Sequence, residues 1–259
     1  MTEVIAERPV ATAAEVLAVY TARTLTNGLV VFAGVGTPLL AATLAQRLDC
    51  PDLTILFEGG VVGAYIEDAK LPPSTNDQRC TRLSNMVLGS SEVMLMMQRG
   101  YVDLGFLGGA QIDRFGNLNS SFIGDAAHPK VRLPGSGGAN DIASLTDFIV
   151  SIRHERRRFV PNVDFITTPG FVSGGDSRRE CGLPYGGCRC VVSDLGIFGF
   201  DSARRMSIQA LHAGVTLEEV RDNTGFDLVV PENMRTTEPV TEQELAILRR
   251  IDPDKIFIS

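Results

Sequence analysis

Leu53-Thr54-Ile55-Leu56-Phe57-Glu58-Gly59-Gly60 is a run of β-favouring apolar residues that stops on one carboxylate and two glycines. An unbroken apolar run bounded by turn residues predicts a strand buried on both faces of a parallel sheet. In open α/β sheets ligands bind beyond the carboxyl ends of the strands, so Glu58 falls where chemistry is usually done. The two glycines permit a sharp turn and a close backbone approach by a ligand. A strand-end glutamate can equally meet solvent or cap a neighbouring helix, and position alone does not separate the two roles.

Upstream, apolar residues at Val16, Leu17, Tyr20 and Leu25 recur with helical spacing over residues 11–26, and Asn27-Gly28 supplies a stop. A short strand, Leu29–Phe32, leads into the turn Gly34-Val35-Gly36-Thr37 and a helix opened by Pro38 and running to about Leu48. A glycine turn at a helix N-terminus can cradle an anion, and close helix–strand packing explains the same glycines. Helix, strand, helix, strand is the order of a parallel sheet with right-handed crossovers.

Downstream, residues 59–82 read as an irregular loop containing Pro72-Pro73-Ser74-Thr75-Asn76-Asp77, long enough to suggest a functional segment. A short helix follows from Ser90 to Gly100, with Ser as its cap and Met94, Met96 and Met97 as core filler. Tyr101–Leu107 reads as the next buried strand, and the segment Gly108–Asn119 as a strand end with a hairpin. Then comes Pro134-Gly135-Ser136-Gly137-Gly138-Ala139-Asn140-Asp141, which opens a helix, Ala139 to about Leu145, ahead of a strand, Phe148–Ile152. Small residues opening a helix expose backbone N–H groups at its positive end, a nest able to bind a phosphate or an oxyanion. Three glycines within four positions exceed what a plain turn requires.

Residues 153–158 form a basic run, which reads as a solvated face or a contact for a partner or a phosphate; residues 169–190 form a second glycine-rich loop. Late strands are expected at Val191–Ser193, Gly196–Phe200 and Met206–Ala210. Two closing helices are expected to carry capping boxes, Thr216 with Glu219 and Thr241 with Glu244. Without a repeat or a linker, the 259 residues read as one domain.

Composition removes several classes of function. A net charge of −7 and a pI near 5.1 argue against a nucleic-acid surface. No apolar run reaches the roughly 20 residues of a membrane span, and the N-terminus lacks the apolar core of a signal peptide. Five cysteines in a chain of this size fit a reducing, cytoplasmic setting. Cys181, Cys188 and Cys190 lack zinc spacing, so no metal site is expected. The three histidines are isolated, no G-x-S-x-G elbow or P-loop occurs, and Gly34-Val35-Gly36-Thr37-Pro38-Leu39 breaks the dinucleotide fingerprint. A strand-end carboxylate and a glycine nest remain, which suit nucleophilic attack on an activated acyl group.

At these two motifs the sequence resembles the class I coenzyme A transferases, and among them the beta subunits of glutaconate CoA-transferases. The resemblance runs from about Thr12 to Ile258. It is densest through GGAQIDRFGNLNSSFIGDAAHPKVRLPGSGGAND, HERRRF, VVSDLGIF, NTGFDL and IDPDKIFI. It implies an open, mainly parallel α/β sheet flanked by helices, of the CoA-transferase and ribose-5-phosphate-isomerase-like kind. It also implies ping-pong transfer of CoA between an acyl-CoA, such as glutaconyl-CoA, and a carboxylic acid. Glu58 would be the nucleophile, and Gly135, Ser136, Gly137, Gly138, Ala139 and Asn140 the oxyanion and CoA loop, with Gly34 and Gly36 as a turn beside the site. An alpha subunit would complete the enzyme, with coenzyme A entering as substrate and no resident cofactor. The context Phe57-Glu58-Gly59-Gly60 matches neither the Ser-Glu-Asn-Gly of the 3-oxoacid branch nor the Glu-Ser-Gly of the glutaconate branch, which leaves the acyl group open. An acyl-CoA hydrolase of the same fold and a non-catalytic subunit are the alternatives.

Overall fold

The structure, a computed structural model, describes residues 11–258. In chain order the first half holds α1 (Ala13–Ala22), β1 (Val30–Phe32), α2 (Thr37–Arg47), β2 (Thr54–Leu56), β3 (Val61–Val62), β4 (Met86–Val87), α3 (Ser90–Gln98) and β5 (Leu104–Leu107). Two small hairpins follow, β6 (Gln111–Ile112) with β7 (Leu118–Asn119), and β8 (Phe122–Gly124) with β9 (Pro129–Arg132). The second half holds α4 (Ala139–Leu145), β10 (Asp147–Ser151), α5 (Ser177–Glu180), β11 (Gly187–Val192) and β12 (Gly196–Phe200). It closes with β13 (Met206–Leu211), α6 (Leu217–Asp222), β14 (Arg235–Thr236) and α7 (Glu242–Ile251).

The main sheet runs in the order β14-β13-β12-β11-β10-β5-β1-β2-β3-β4. Its centre, β11-β10-β5-β1-β2, is parallel throughout. Antiparallel strands extend it on both sides, β3 and β4 beyond β2, β12 and β13 beyond β11. Successive side chains of a strand face opposite ways, and here both faces are apolar. Val31, Ile55, Phe57, Phe106, Ile149 and Val192 join the core under α1, α2 and α7. Phe32, Leu56, Leu107, Phe148, Val150 and Val191 join the core under α3 and α4. The result is an open, mainly parallel sheet between two helical layers, as expected from the β2 run.

Several local expectations need correction. Residues 59–82 are not a continuous loop, because Val61–Val62 turns back to pair antiparallel with β2, and Gln78–Thr81 forms a 3-10 turn. The cap of α3 is Gly89, not a serine: its N–H donates to the Glu92 carboxylate at 2.6 Å. Tyr101 is exposed, and β5 starts three residues later at Leu104. Strand β11 begins at Gly187, so Cys188 and Cys190 lie in the sheet and not in the loop, which itself carries the short α5. Thr216 caps α6 by accepting from the Glu219 N–H, without the reciprocal bond; Thr241 and Glu244 form the full box on α7.

The chain ends are tied by two ion pairs that fasten α7 to α1, Glu15 with Arg249 at 2.6 Å and Arg23 with Glu244 at 2.7 Å. The basic run is mostly spent locally: Arg153 pairs with Asp194, while Arg157 and Arg158 pair with Glu155. Within it, buried His154 stacks on Phe159 and lies between the Ser193 and Thr224 hydroxyls at 3.0 and 2.9 Å. Buried His212 stacks on Tyr20, with Nε2 at 2.8 Å from the Ser193 carbonyl. Burial lowers His154 from 6.5 to about 3 and His212 to about 4.

Both histidines stay neutral in the folded chain while their unfolded counterparts take up protons below pH 6.5. Stability is therefore lost as the pH falls from 6.5 towards 4. Urea unfolding at about pH 6.5 and about pH 5 should show a loss of ~1.4 kcal/mol per pH unit for each histidine. Replacing His212 by Gln should remove its share of that slope.

Candidate functional site

The turn that carries Glu58 is built by its flanks. Gly60 N–H donates to the Phe57 carbonyl at 2.9 Å, and Phe57 N–H to the Val61 carbonyl at 2.9 Å. Glu58 and Gly59 are the two central residues of this β2–β3 turn, and buried Phe57 anchors it from the α1/α2 side. Gly60 holds φ at +103°, a conformation side chains rarely adopt, and a Cβ there would run into the Leu88 carbonyl. A Cβ on Gly59 would meet Thr75 and Asn76. The proline-rich loop thus backs the turn. Glu58 itself is exposed, and its carboxylate has no hydrogen bond or ion pair among the described residues.

The glycine loop reaches Glu58 from the other side. A Cβ on Gly138 would lie 3.1 Å from Glu58 Oε1 and 3.5 Å from Met94 Cε, and one on Gly137 would lie 4.0 Å from Glu58 Oε2. A side chain at Gly138 would crowd the carboxylate, whereas one at Gly137 would meet it at ordinary contact distance. Gly137 also needs its freedom, with φ at +51°, whereas Gly138 has an ordinary φ of −77° as the residue before α4. The loop closes through Ala139 N–H on the Ser136 carbonyl, and α4 begins with Ile142 N–H on the Gly138 carbonyl. Among the described residues, the N–H groups of Ser136, Gly137 and Gly138 have no protein acceptor.

Two of the expected loop residues point elsewhere. The Ser136 hydroxyl donates to the Gly137 carbonyl at 3.1 Å, and the Asn140 side-chain amide donates to the Thr167 carbonyl at 3.2 Å. Both ties act within or behind the loop. Gly34 and Gly36 lie at the carboxyl end of β1. Phe32 is level with Leu56, and Ala33 N–H donates to the Leu56 carbonyl, so their turn sits on the strand next to that of Glu58. A Cβ on Gly34 or Gly135 would meet nothing within 4 Å, which marks open space on both sides.

Sequence reasoning missed the backing of the turn by Thr75 and Asn76, the contact of Met94, and the ties through Thr167. Of these only the long proline loop carried a signal. Met94 looks like any core methionine, and Thr167 lies in a stretch without a motif. The described residues contain no group of three or more His, Cys, Asp or Glu able to hold a metal, and no helix long and apolar enough to cross a membrane.

The family model described as coenzyme A transferase matches residues 14–223. The chain is 39% identical to the B-type subunit of 3-oxoadipate CoA-transferase from Pseudomonas knackmussii, covering 92% of each chain. It is 38% identical to the B-type subunit of glutaconate CoA-transferase from Acidaminococcus fermentans, covering 94% of each. The crystal structure of glutaconate coenzyme A-transferase from the same organism superposes with a TM-score of 0.90 at 35% identity, over 96% of this chain and 98% of that one. The chain belongs to the coenzyme A transferase family, and it matches these B-type subunits nearly end to end.

Gly138→Ala separates crowding from backbone strain, because alanine tolerates the φ of −77° found there. The added methyl would press on Glu58 at 3.1 Å. If Glu58 is the reacting group, turnover should fall by ~10-fold or more, because small misplacements there are costly. The melting temperature should hold or rise. Unchanged turnover would show that the carboxylate works away from this loop.

Proposed function

We propose that this chain is the subunit that carries the nucleophile of a two-subunit CoA-transferase, with Glu58 as that nucleophile. The carrying observation is the carboxylate's situation: exposed, without an ion pair among the described residues, and close to a glycine loop whose N–H groups have no protein acceptor there. A carboxylate engaged in an ion pair is a weaker nucleophile, and Glu58 has no such partner among the described residues.

The chemistry runs by exchange of acyl bonds. A Glu58 oxygen attacks the thioester carbonyl, the C–S bond breaks, and an acyl–glutamyl anhydride forms with release of CoA thiolate. The thiolate attacks the Glu58 carbonyl carbon, giving a glutamyl–CoA thioester and freeing the first acid as its carboxylate. The incoming carboxylate attacks that thioester, expelling the thiolate and forming a second anhydride. Attack of the thiolate on the new acyl carbon releases the product and restores Glu58. No proton or electron is gained or lost. Each attack places negative charge on a carbonyl oxygen, and the N–H groups of Gly137 and Gly138 are donors suited to receive it.

The relatives point to the acyl class. Both 3-oxoadipate and glutaconate are short dicarboxylic acids, so a short dicarboxylyl-CoA, such as glutaconyl-CoA, is the proposed donor. The proposed partner is the A-type subunit implied by the naming of those relatives, and the groups that grip the distal carboxylate are assigned to it.

With the complex reconstituted, Glu58→Gln should abolish transfer while leaving the melting temperature within a few degrees. Borohydride added in the presence of acyl-CoA should reduce a glutamyl thioester and mark the Glu58 peptide by mass. Transfer by the Gln variant would remove Glu58 from the mechanism. Release of free CoA and acid without an acceptor, at the rate of transfer, would make the enzyme a hydrolase.

A further inference from the structure

The glycine loop does not hold its own position. Its entry is fixed where Gly135 N–H donates to the Ser120 carbonyl at 2.7 Å, and its exit where the Asn140 amide donates to the Thr167 carbonyl at 3.2 Å. Both ties lead to one buried residue. The Thr167 hydroxyl oxygen accepts from Ser120 N–H at 3.0 Å and lies 2.7 Å from the Ser121 hydroxyl. It also donates to Asn119 Oδ1 at 3.4 Å, while Thr167 N–H donates to the Leu118 carbonyl at 2.9 Å. Asn119 in turn is held by Gln111 and by the Phe122 carbonyl, both at 2.7 Å.

We propose that Thr167 is a positioning residue for the reaction at Glu58: its carbonyl receives the loop's exit at Asn140, and its hydroxyl holds Ser120, whose carbonyl receives the loop's entry at Gly135. This inference rests on the assignment of Glu58 and the glycine loop made above. Thr167 touches neither Glu58 nor the loop's N–H groups, so it acts through geometry. Losing the hydroxyl removes the tie on Ser120 N–H, and the entry of the loop, which hangs on the Ser120 carbonyl, shifts relative to Glu58. Binding of the remote parts of acyl-CoA does not depend on that shift.

Thr167→Val removes the hydroxyl at nearly constant shape. In the reconstituted complex, kcat should fall by ~10- to 100-fold with KM for acyl-CoA nearly unchanged, the cost of a small misplacement at the reacting group. Thr167→Ser should recover most of the rate. Thr224→Val is the matched control. It too deletes a buried threonine hydroxyl, one bonded to His154 and the Val220 carbonyl, and it should lower the melting temperature while sparing kcat. Asn140→Ala, which cuts the exit tie from the exposed face of the loop, should give the same kcat-limited loss should the valine variant fail to assemble. Equal kcat losses in Thr167→Val and Thr224→Val, or normal kcat in Thr167→Val, would overturn the positioning role. Glu58→Gln assayed alongside keeps the two failures apart. If that variant is inactive, only the Thr167 inference falls; if it is active, the underlying assignment falls with it.

Discussion

The constraint on which this structure turns is the approach of one carboxylate to one backbone. Glu58 Oε1 comes so near Gly138 that a methyl there would lie 3.1 Å away. Two segments from different parts of the chain must be brought to that distance. Strand β2 delivers Glu58, and the β3 turn-back stops the strand so that the carboxylate stays at the rim. Helix α4 delivers Gly138, and it can sit low on the sheet because Ile142 packs where β5 has only Gly105. A side chain at Gly105 would lift α4 and open the contact. The glycines at 105, 137 and 138 therefore serve one end, bringing a helix start down onto a strand end.

Electrostatics reinforces this geometry. Arg79 is paired with Asp77 and Arg82 with Glu67, and Glu58 has no ion pair among the described residues. Exposure keeps the unpaired carboxylate inexpensive, because water solvates it until substrate arrives. In the proposed reaction, substrate replaces that water beside the loop's N–H groups, and preorganised donors contribute most where little reorganisation is needed. The buried polar chain behind the loop supplies the rigidity, with nearly every donor and acceptor of Asn117, Asn119 and Thr167 engaged. Such networks specify a single geometry when they are fully satisfied.

The layout of the sheet was legible because its signal is local. The β2 run, the Pro38 helix start and the GSGG segment each follow from propensity and turn chemistry within a few residues. Strand β3 was not legible: two valines after Glu58-Gly59-Gly60 are too short to show a period, and only pairing with β2 makes them a strand. Strand β11 began early for the same reason, since Gly187 and Arg189 break an apolar pattern that parallel pairing with β10 overrides. At the candidate site, the sequence pointed to the two motifs that the fold brings together but not to the division of labour inside them. Asn140 lies in the loop by sequence, yet its amide faces Thr167. That outcome depends on a segment distant in the chain, and no spacing rule encodes it.

The exposure of Glu58 bears on what the chain does alone. A glutamyl thioester is an activated ester, and water in contact with it competes with the acceptor acid at each turnover. Transfer rather than hydrolysis therefore demands a covered site, because closing out water is what protects reactive intermediates. Glu58 is exposed, and a Cβ added at Gly34 or Gly135 would meet nothing within 4 Å. On the proposed mechanism, that cover is assigned to the partner subunit. On the proposed assignment, the two-subunit naming of the relatives fits a nucleophile set on the rim of a sheet, with one chain presenting the carboxylate and the donors and the other keeping water away from what forms there.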